Sequence, residues 1–367
     1  LLKFSTLLIL TLTIRIDLIV NSNQKIPVGI LGATGSVGQK FIELLANHPW
    51  FEITALAASE RSSERPYREA VNWFMPTPIP SNFAHLPVQR CEPDLDCKIV
   101  FSGLDSSVAG AIEIKFAQAG YIVISNSKNH RFDPDVPLLI PEVNSDHLEM
   151  VKHQKYGAGM IVTNPNCSTI GLVIVLKPLI DNFGIEAVNV VTLQALSGAG
   201  YPGVSGLDCV DNVLPFISGE EEKIETEPLK ILGKYESGRI KNIDLKISAQ
   251  CNRVAVLDGH FECVSVKLKT NAKLEDIKQV CQNFSAEPQR LNLPFAPQKP
   301  IHYFEEDNFP QPRLHRNIDK GMAVSIGRLR KCNIFDFKFV LLSHNTIRGA
   351  AGGAILNAEL MKAKDYF

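Results

Sequence analysis

The chain has 367 residues, of which 45% are hydrophobic and 21% charged, and its formal net charge is −1. That length implies two domains or one large one, with the composition of an ordinary globular enzyme. The near-zero charge gives no electrostatic footprint for nucleic acid or an anionic membrane.

Residues 1–24 stand apart. Leu1 to Ile14 joins an early Lys3 to an apolar run, as a signal sequence does. Arg15 and Asp17 then interrupt it, and no A-x-A cleavage pattern follows. The run is too short and too charged to span a bilayer. A signal-like leader and translated sequence foreign to the folded chain both fit, so the fold is expected to begin at residue 25.

Lys25 to Leu31 is a short β-run, followed by the glycine loop Gly32-Ala-Thr-Gly-Ser-Val-Gly38. Val37, Phe41, Leu44 and Leu45 then recur at helical spacing and give one buried face. Asn47-His-Pro49 stops that helix, and Phe51 to Ala57 is the next strand. Strand, glycine loop, helix and strand make a βαβ unit. Lys98 to Phe101 and Tyr121 to Ile124 read as further buried parallel strands, with a helix from Ser107 to Ala119 between them. Residues 25–165 are therefore expected to form an open α/β domain.

Beyond residue 165 the pattern changes. Residues 187–193, 245–250, 253–256, 261–268 and 323–329 alternate or run apolar, without regular helices between them. They predict a mixed, mostly antiparallel sheet in an α+β domain over residues 166–342. The last segment, Thr346 to Lys364, is helical and would complete the first domain. It contains Gly349, Gly352 and Gly353. Each costs roughly 1 kcal/mol relative to Ala, so close backbone approach is expected there.

Eight cysteines lie at 91, 97, 167, 209, 251, 263, 281 and 332, none in C-x-x-C or Cys/His clusters at zinc spacing. No metal site is expected, and scattered thiols read as reduced and cytoplasmic. A free Cys is ordinarily a small buried hydrophobe. Cys167 differs because Asn166, Ser168 and Thr169 surround it with polar groups between the β-run at Met160 and the apolar run from Ile170. A thiol at a strand–helix junction faces unpaired N–H groups and the positive helix end, which favour the thiolate. Cys167 is thus the candidate nucleophile of a covalent mechanism.

The glycine loop follows a strand and opens a helix, so its backbone can approach a pyrophosphate. Beyond the second strand, Ser59, Arg61 and Ser62 suit a ribose 2′-phosphate, which points to NADP. Glu60 pulls the other way, unless it is a solvated surface charge. A thioester beside a nicotinamide implies aldehyde–acyl chemistry. That chemistry needs a proton-transfer group and cationic anchors, for which His260 and Arg253 are candidates. A lone His is ordinarily structural, so His260 depends on Cys167.

Eight stretches in order resemble aspartate-semialdehyde dehydrogenase, in particular its fungal and archaeal branch. They are 32–38, Ser125-Asn-Ser-Lys-Asn-His-Arg131, Pro137 to Asn144, Thr163-Asn-Pro-Asn-Cys-Ser-Thr169, Gln194 to Gly200, Ile217 to Glu227, Asn252 to His260, and His344-Asn-Thr-Ile-Arg-Gly349. The resemblance implies an α/β Rossmann-type dinucleotide-binding domain plus an α+β catalytic and dimerisation domain. It implies NADPH-dependent reductive dephosphorylation of L-aspartyl-4-phosphate to L-aspartate 4-semialdehyde, on the route to lysine, methionine, threonine and isoleucine.

By the same resemblance, Cys167 would form the acyl-enzyme, His260 would be the general acid/base, and Gln194 would position the carbonyl. Arg253 would clamp the α-carboxylate, and Glu220 would hold the amino group. Lys223 and Arg131, with Asn129 or its neighbours, would bind phosphate. Gly32, Thr34, Gly35, Ser36 and Val37 would hold the cofactor's phosphates, with Ser197, Gly198 and Asn345 at its nicotinamide end. A homodimer or homotetramer is implied. Two departures stand out: His130 where the branch often has Tyr, and Glu60 in the polar turn. The acids Glu220 to Glu222 also fit a plain solvated helix start.

Two other readings compete. A paralogous acyl reductase, acting on N-acetyl-glutamyl phosphate or malonyl-CoA, would share nucleophile, base and cofactor fold. Glu220 argues for a free amino group and against it. A non-catalytic nucleotide-binding regulator would have no need of Cys167, Gln194, Arg253 and His260 together.

Overall fold

Five largely apolar runs and one short, mostly polar one build the first sheet. They are β1 (Ile26–Leu31), β2 (Phe51–Ala58), β3 (Val88–Arg90), β4 (Ile99–Ser102), β5 (Ile122–Ser125) and β6 (Met160–Thr163). The computed structural model describes residues 25–367, so the expected leader at 1–24 lies outside the described residues. Every neighbouring pair is parallel, in the order β3-β2-β1-β4-β5-β6. That is the doubly wound order of a dinucleotide-binding sheet. Helices α1 (Ser36–Leu45) and α2 (Ser106–Gln118) are among its crossovers. Phe41, Ile42 and Leu45 form the buried side of α1, while Leu44 packs only at its edge. The apolar face is thus turned slightly from the expected one.

The second sheet gathers strands from the rest of the chain. They are β7 (Ile185–Gln194), β8 (Val213–Leu214), β11 (Lys246–Val254), β12 (His260–Leu268), β13 (Ile301–Phe304), β14 (Val324–Lys331) and β15 (Phe337–Ser343). A separate hairpin pairs β9 (Lys234–Glu236) with β10 (Arg239–Lys241). The order is β13-β14-β15-β12-β7-β11-β8. The pairs β13–β14 and β7–β11 are parallel and the others antiparallel, the mixed and mostly antiparallel sheet expected.

Three details differ from expectation. The runs at 245–250 and 253–256 are one continuous strand, β11. Strands β3, β8, β13 and β15 and the β9–β10 hairpin lie outside the expected runs, although in β15 Phe337, Phe339 and Leu341 alternate onto the buried face. Two regular helices do intervene: α4 (Glu220–Ile231) and α5 (Leu274–Gln282). Their polar faces dilute the apolar signal, because each buries only one stripe.

Helix α3 (Cys167–Phe183) runs from the end of the first sheet into the core beneath the second. Leu172, Val173, Ile174, Val175, Leu176 and Leu179 are all buried along it. Each such side chain contributes roughly 1.5–3 kcal/mol of burial. The helix is therefore a rigid post, and its first residue inherits that rigidity. Helix α6 (Gly352–Ala363) sends Ile355, Leu356, Leu360 and Met361 into the core of the first sheet. A π-turn, Ile347–Ala351, precedes it. A Cβ on Gly349 would lie 2.6 Å from the Cβ of Cys167, which explains a glycine inside a helical run.

Candidate active site

Cys167 is the first residue of α3, and Asn166 caps that helix. The Asn166 side-chain oxygen accepts from the N–H groups of Ser168 (3.0 Å) and Thr169 (3.2 Å). The Cys167 Sγ lies 3.1 Å from Nε2 of His260, the first residue of β12. The expectation of a resting thiolate is corrected here. Burial pushes the thiol up to about 12, with Glu220 adding to it, against Lys223, Arg131 and the Ser168 N–H. A helix terminus favours the anion only where water still solvates it, and here desolvation wins. Burial likewise pushes His260 down to about 3, Glu220 opposing and Arg253 and His344 assisting. The resting pair is a neutral thiol and a neutral imidazole.

The backbone N–H of Ala195 donates to His260 Nδ1 at 3.0 Å. Nδ1 is thus the unprotonated nitrogen, and the neutral ring carries its proton on Nε2, facing the sulfur. Thiolate content then rises tenfold per pH unit toward about 12. Alkylation of Cys167 by iodoacetamide in the free enzyme should climb without levelling from about pH 7 to about pH 10. A plateau below about pH 8 would restore the resting thiolate.

Strand register gathers the neighbours. Gln194 ends β7 and pairs with Arg253 on the parallel strand β11, while β12 lies antiparallel on the other side of β7. Gln194, Arg253 and His260 therefore emerge at one end of three adjacent strands. Arg253 is buried, and its Nη1 donates to the Ala195 carbonyl at 2.7 Å. A Cβ on Gly198 would fall 2.9 Å from that nitrogen and 3.0 Å from the His260 ring, so a larger residue would displace the Arg253 guanidinium or the His260 ring.

Helix α4 supplies the opposite wall. Glu220 accepts from Asn166 Nδ2 (2.9 Å), Gln194 Nε2 (3.2 Å) and Lys223 Nζ (2.6 Å). Burial pushes its carboxyl up, but the Lys223 ammonium and these hydrogen bonds prevail and hold it below the ordinary range. Arg131, from the loop after β5, donates through Nη1 to Glu227 and through Nη2 to the Asn126 carbonyl. Cys167, Asn166, Gln194, Glu220, Lys223 and Arg131 border a cleft of about 390 Å³ that also holds Ser36, Val37, Ser197, Gly198 and Asn345, with His260 and Arg253 just behind its wall. A larger cavity beside His48, about 640 Å³, contains none of this chemistry.

The glycine loop forms the cleft's other end. Gly32 has φ +77, and a Cβ there would sit 2.8 Å from the Gly103 carbonyl oxygen. A Cβ on Gly38 would sit 2.2 Å from the Gly32 oxygen. These contacts fix a tight turn whose following helix has no side-chain cap, the cradle a pyrophosphate requires. Asn345 donates to Ser197 Oγ (2.8 Å) and accepts from the Gly259 N–H (2.8 Å), which holds the turn before His260. At the far end, Ser59 and Arg61 are exposed. Glu60 faces Arg90 at 3.9 Å with both side chains largely in solvent, as a surface charge would.

Known proteins resemble this chain over nearly its whole length. The family model described as the semialdehyde dehydrogenase NAD binding domain matches residues 27–151, and the one described as its dimerisation domain matches 176–348. The aspartate-semialdehyde dehydrogenase of Schizosaccharomyces pombe is 50% identical over 349 residues, covering 92% of this chain and 98% of its own. The chain belongs to the aspartate-semialdehyde dehydrogenase family. The Archaeoglobus fulgidus enzyme of that name is also 50% identical, over 91% of this chain and 97% of its own. The crystal structure of the Candida albicans enzyme with NADP superposes with a TM-score of 0.87 at 45% identity, covering 94% of this chain and all of that one.

Among the family-derived anchors, Asn129 stands apart. It is exposed, its Nδ2 donates to the Ser106 carbonyl at 3.0 Å, and it does not line the cleft. Its neighbours Asn126, Ser127 and Lys128 do. In a tight turn consecutive side chains point to different sides, and the motif alone does not say which turns inward. Replacing Lys128 with Ala should raise the phosphate KM about three- to tenfold, the share of one exposed charged contact. Replacing Asn129 with Ala should leave it within twofold. Steady-state titration of phosphate checks both. Sequence reasoning also missed Glu227, which sits in the matched stretch behind four other glutamates of the same helix.

Proposed function

We propose that this chain catalyses the NADPH-dependent reductive dephosphorylation of L-aspartyl-4-phosphate to L-aspartate 4-semialdehyde, releasing phosphate. The observation that carries the reading is the Cys167–His260 pair, 3.1 Å apart, in a cleft that offers both a carboxylate and cations. The substrate carries an ammonium, an α-carboxylate and an acyl phosphate. Glu220 answers the first, Arg253 the second, and Lys223, Arg131 and Lys128 the third. An ionised carboxylate at Glu220 fits a free amino group and not an acylated one.

Cys167 attacks the acyl carbon, the C–O bond to phosphate breaks, and phosphate leaves with the electron pair against its cationic anchors. A thioester on Cys167 remains. Bound NADPH supplies the hydride that reduces the acyl carbon. The carbonyl then re-forms, the C–S bond breaks, and the aldehyde departs. The thiol proton departs with the phosphate, while His260 Nε2–H steadies the sulfur, then gives its proton to the carbonyl oxygen as the hydride arrives, takes it back as the carbonyl re-forms, and a proton from solvent restores the thiol. Gln194 orients that carbonyl.

Gly32, Thr34, Gly35, Ser36 and Val37 serve the cofactor's phosphates. Ser59, Arg61 and Ser62 serve its 2′-phosphate, and Ser197, Gly198 and Asn345 its nicotinamide end. In this reading, residues 25–165 with 343–367 are the cofactor domain, and residues 166–342 catalyse and dimerise. An apolar groove on the outer side of the second sheet, with Leu193, Val254, Phe261 and Val340, is where a second copy would pack. Among the described residues no helix is long and apolar enough to cross a membrane.

The test is the reverse reaction. Purified protein given semialdehyde, inorganic phosphate and NADP should form NADPH, and omission of phosphate should abolish it. No NADPH in the complete mixture would overturn the assignment.

A further inference from the structure

Helix α4 carries Glu220, Lys223, Glu227 and Lys230 at i, i+3, i+7 and i+10, a spacing that puts all four on one face. The first two border the cleft. The last two are buried and belong to no step of the reaction. Glu227 is fully buried. Its Oε1 accepts from Arg131 Nη1 at 2.7 Å, and its Oε2 accepts from the backbone N–H of Asn166 at 2.7 Å. Lys230, one turn further, donates to the carbonyls of Arg131, Asp133 and Val136. One helix face therefore grips two separate segments: the loop that carries Arg131 and the turn that carries the nucleophile.

Asn166 is the point where the grip matters. Its N–H goes to Glu227, its Nδ2 to Glu220, and its side-chain oxygen to the Ser168 and Thr169 N–H groups. Removing one carboxylate oxygen from this set leaves a buried donor facing nothing. We infer that Glu227 is a positioning residue, whose two carboxylate oxygens set the Arg131 guanidinium and the Asn166–Cys167 turn relative to each other. This rests on the proposed function for the meaning of Arg131, but the geometry of the turn does not. With one oxygen on the guanidinium and the other on the chain before the nucleophile, the leaving phosphate and the attacking sulfur are held at a fixed separation. A glutamine in its place has one acceptor oxygen. The charged guanidinium takes it, and the amide NH₂ is turned against the Asn166 N–H.

The experiment uses the full chain carrying E227Q, with E222Q, an exposed acid on the same helix, as the control. E227Q should lower kcat at least tenfold and raise the phosphate KM at least fivefold, with the semialdehyde KM within twofold of the parent. Without any turnover, iodoacetamide should alkylate Cys167 at least three times faster in E227Q, because the turn has lost a tether. E222Q should match the parent throughout. Equal weakening of both substrates together with a lowered melting temperature would reduce Glu227 to a fold role and overturn the inference, as would unchanged alkylation and kcat. If E227Q does not fold, E227D keeps the charge but cannot span both partners, and it must show the same pattern. Parent protein that forms no NADPH defeats the proposed function alone, since the alkylation comparison still decides the role of Glu227.

Discussion

Replacing Cys167 with Ser should lower turnover roughly a thousandfold or more, the range for removing the nucleophile of a covalent mechanism. The substitution exchanges sulfur for a smaller oxygen at a position already tight against Gly349, so the fold should persist. Cofactor affinity should also persist, since the glycine loop lies at the other end of the cleft. A burst experiment sharpens the test. With aspartyl phosphate and no NADPH, the parent should release about one equivalent of phosphate as the thioester accumulates, and C167S should release none. Unchanged turnover in C167S would remove the thioester from the mechanism.

Some of this site can be read along the chain and some cannot. Cys167 is legible because its signal is local: a β-run, a polar turn and an apolar helix within a dozen or so residues. The glycine loop is legible for the same reason, and Gly32 and Gly38 make the close contacts their spacing implies. His260, Arg253 and Gln194 are different. Nothing near any of them marks a site. They meet because β11 pairs parallel to β7 while β12 runs antiparallel on its other side, which brings distant strand ends together. The needs of the chemistry nominated His260 and Arg253, and only the family pattern brought in Gln194. Glu227 escaped even that, since its partners lie 96 and 61 residues away and four other glutamates precede it on the same helix.

The resting state of Cys167 failed for a different reason. The helix terminus was read correctly, but sequence carries no measure of depth. At the surface the dipole and the cap favour the anion, and at the half-buried floor of a cleft desolvation outweighs them. The same depth gives the site its use of substrate charge. A buried neutral pair waits among fixed ions, so a cationic or anionic substrate group enters against partners that are already oriented. Glu220 illustrates this. It is held ionised by Lys223 and by hydrogen bonds from Asn166 and Gln194, three groups that belong to the site themselves.

Replacing His260 with Ala should lower kcat by roughly 10²- to 10⁴-fold, the usual contribution of a positioned acid or base. The tautomer makes a finer prediction. Because Ala195 donates to Nδ1, the ring meets the sulfur as a hydrogen-bond donor. H260Q places an amide NH₂ at similar reach and should keep a measurable part of the activity that H260A loses. If the ring acted only as a proton acceptor, Gln would be no better than Ala. The pH profile gives an independent check. A ring held down to about 3 is already neutral above about pH 4, so kcat/KM should show no acid limb near the ordinary histidine value. Loss through imidazolium formation should begin only as pH falls toward about 3. A limb near about pH 6.5 that vanishes in H260Q would mean that the ring is solvated and titrating in the working enzyme, and the neutral resting pair would be wrong.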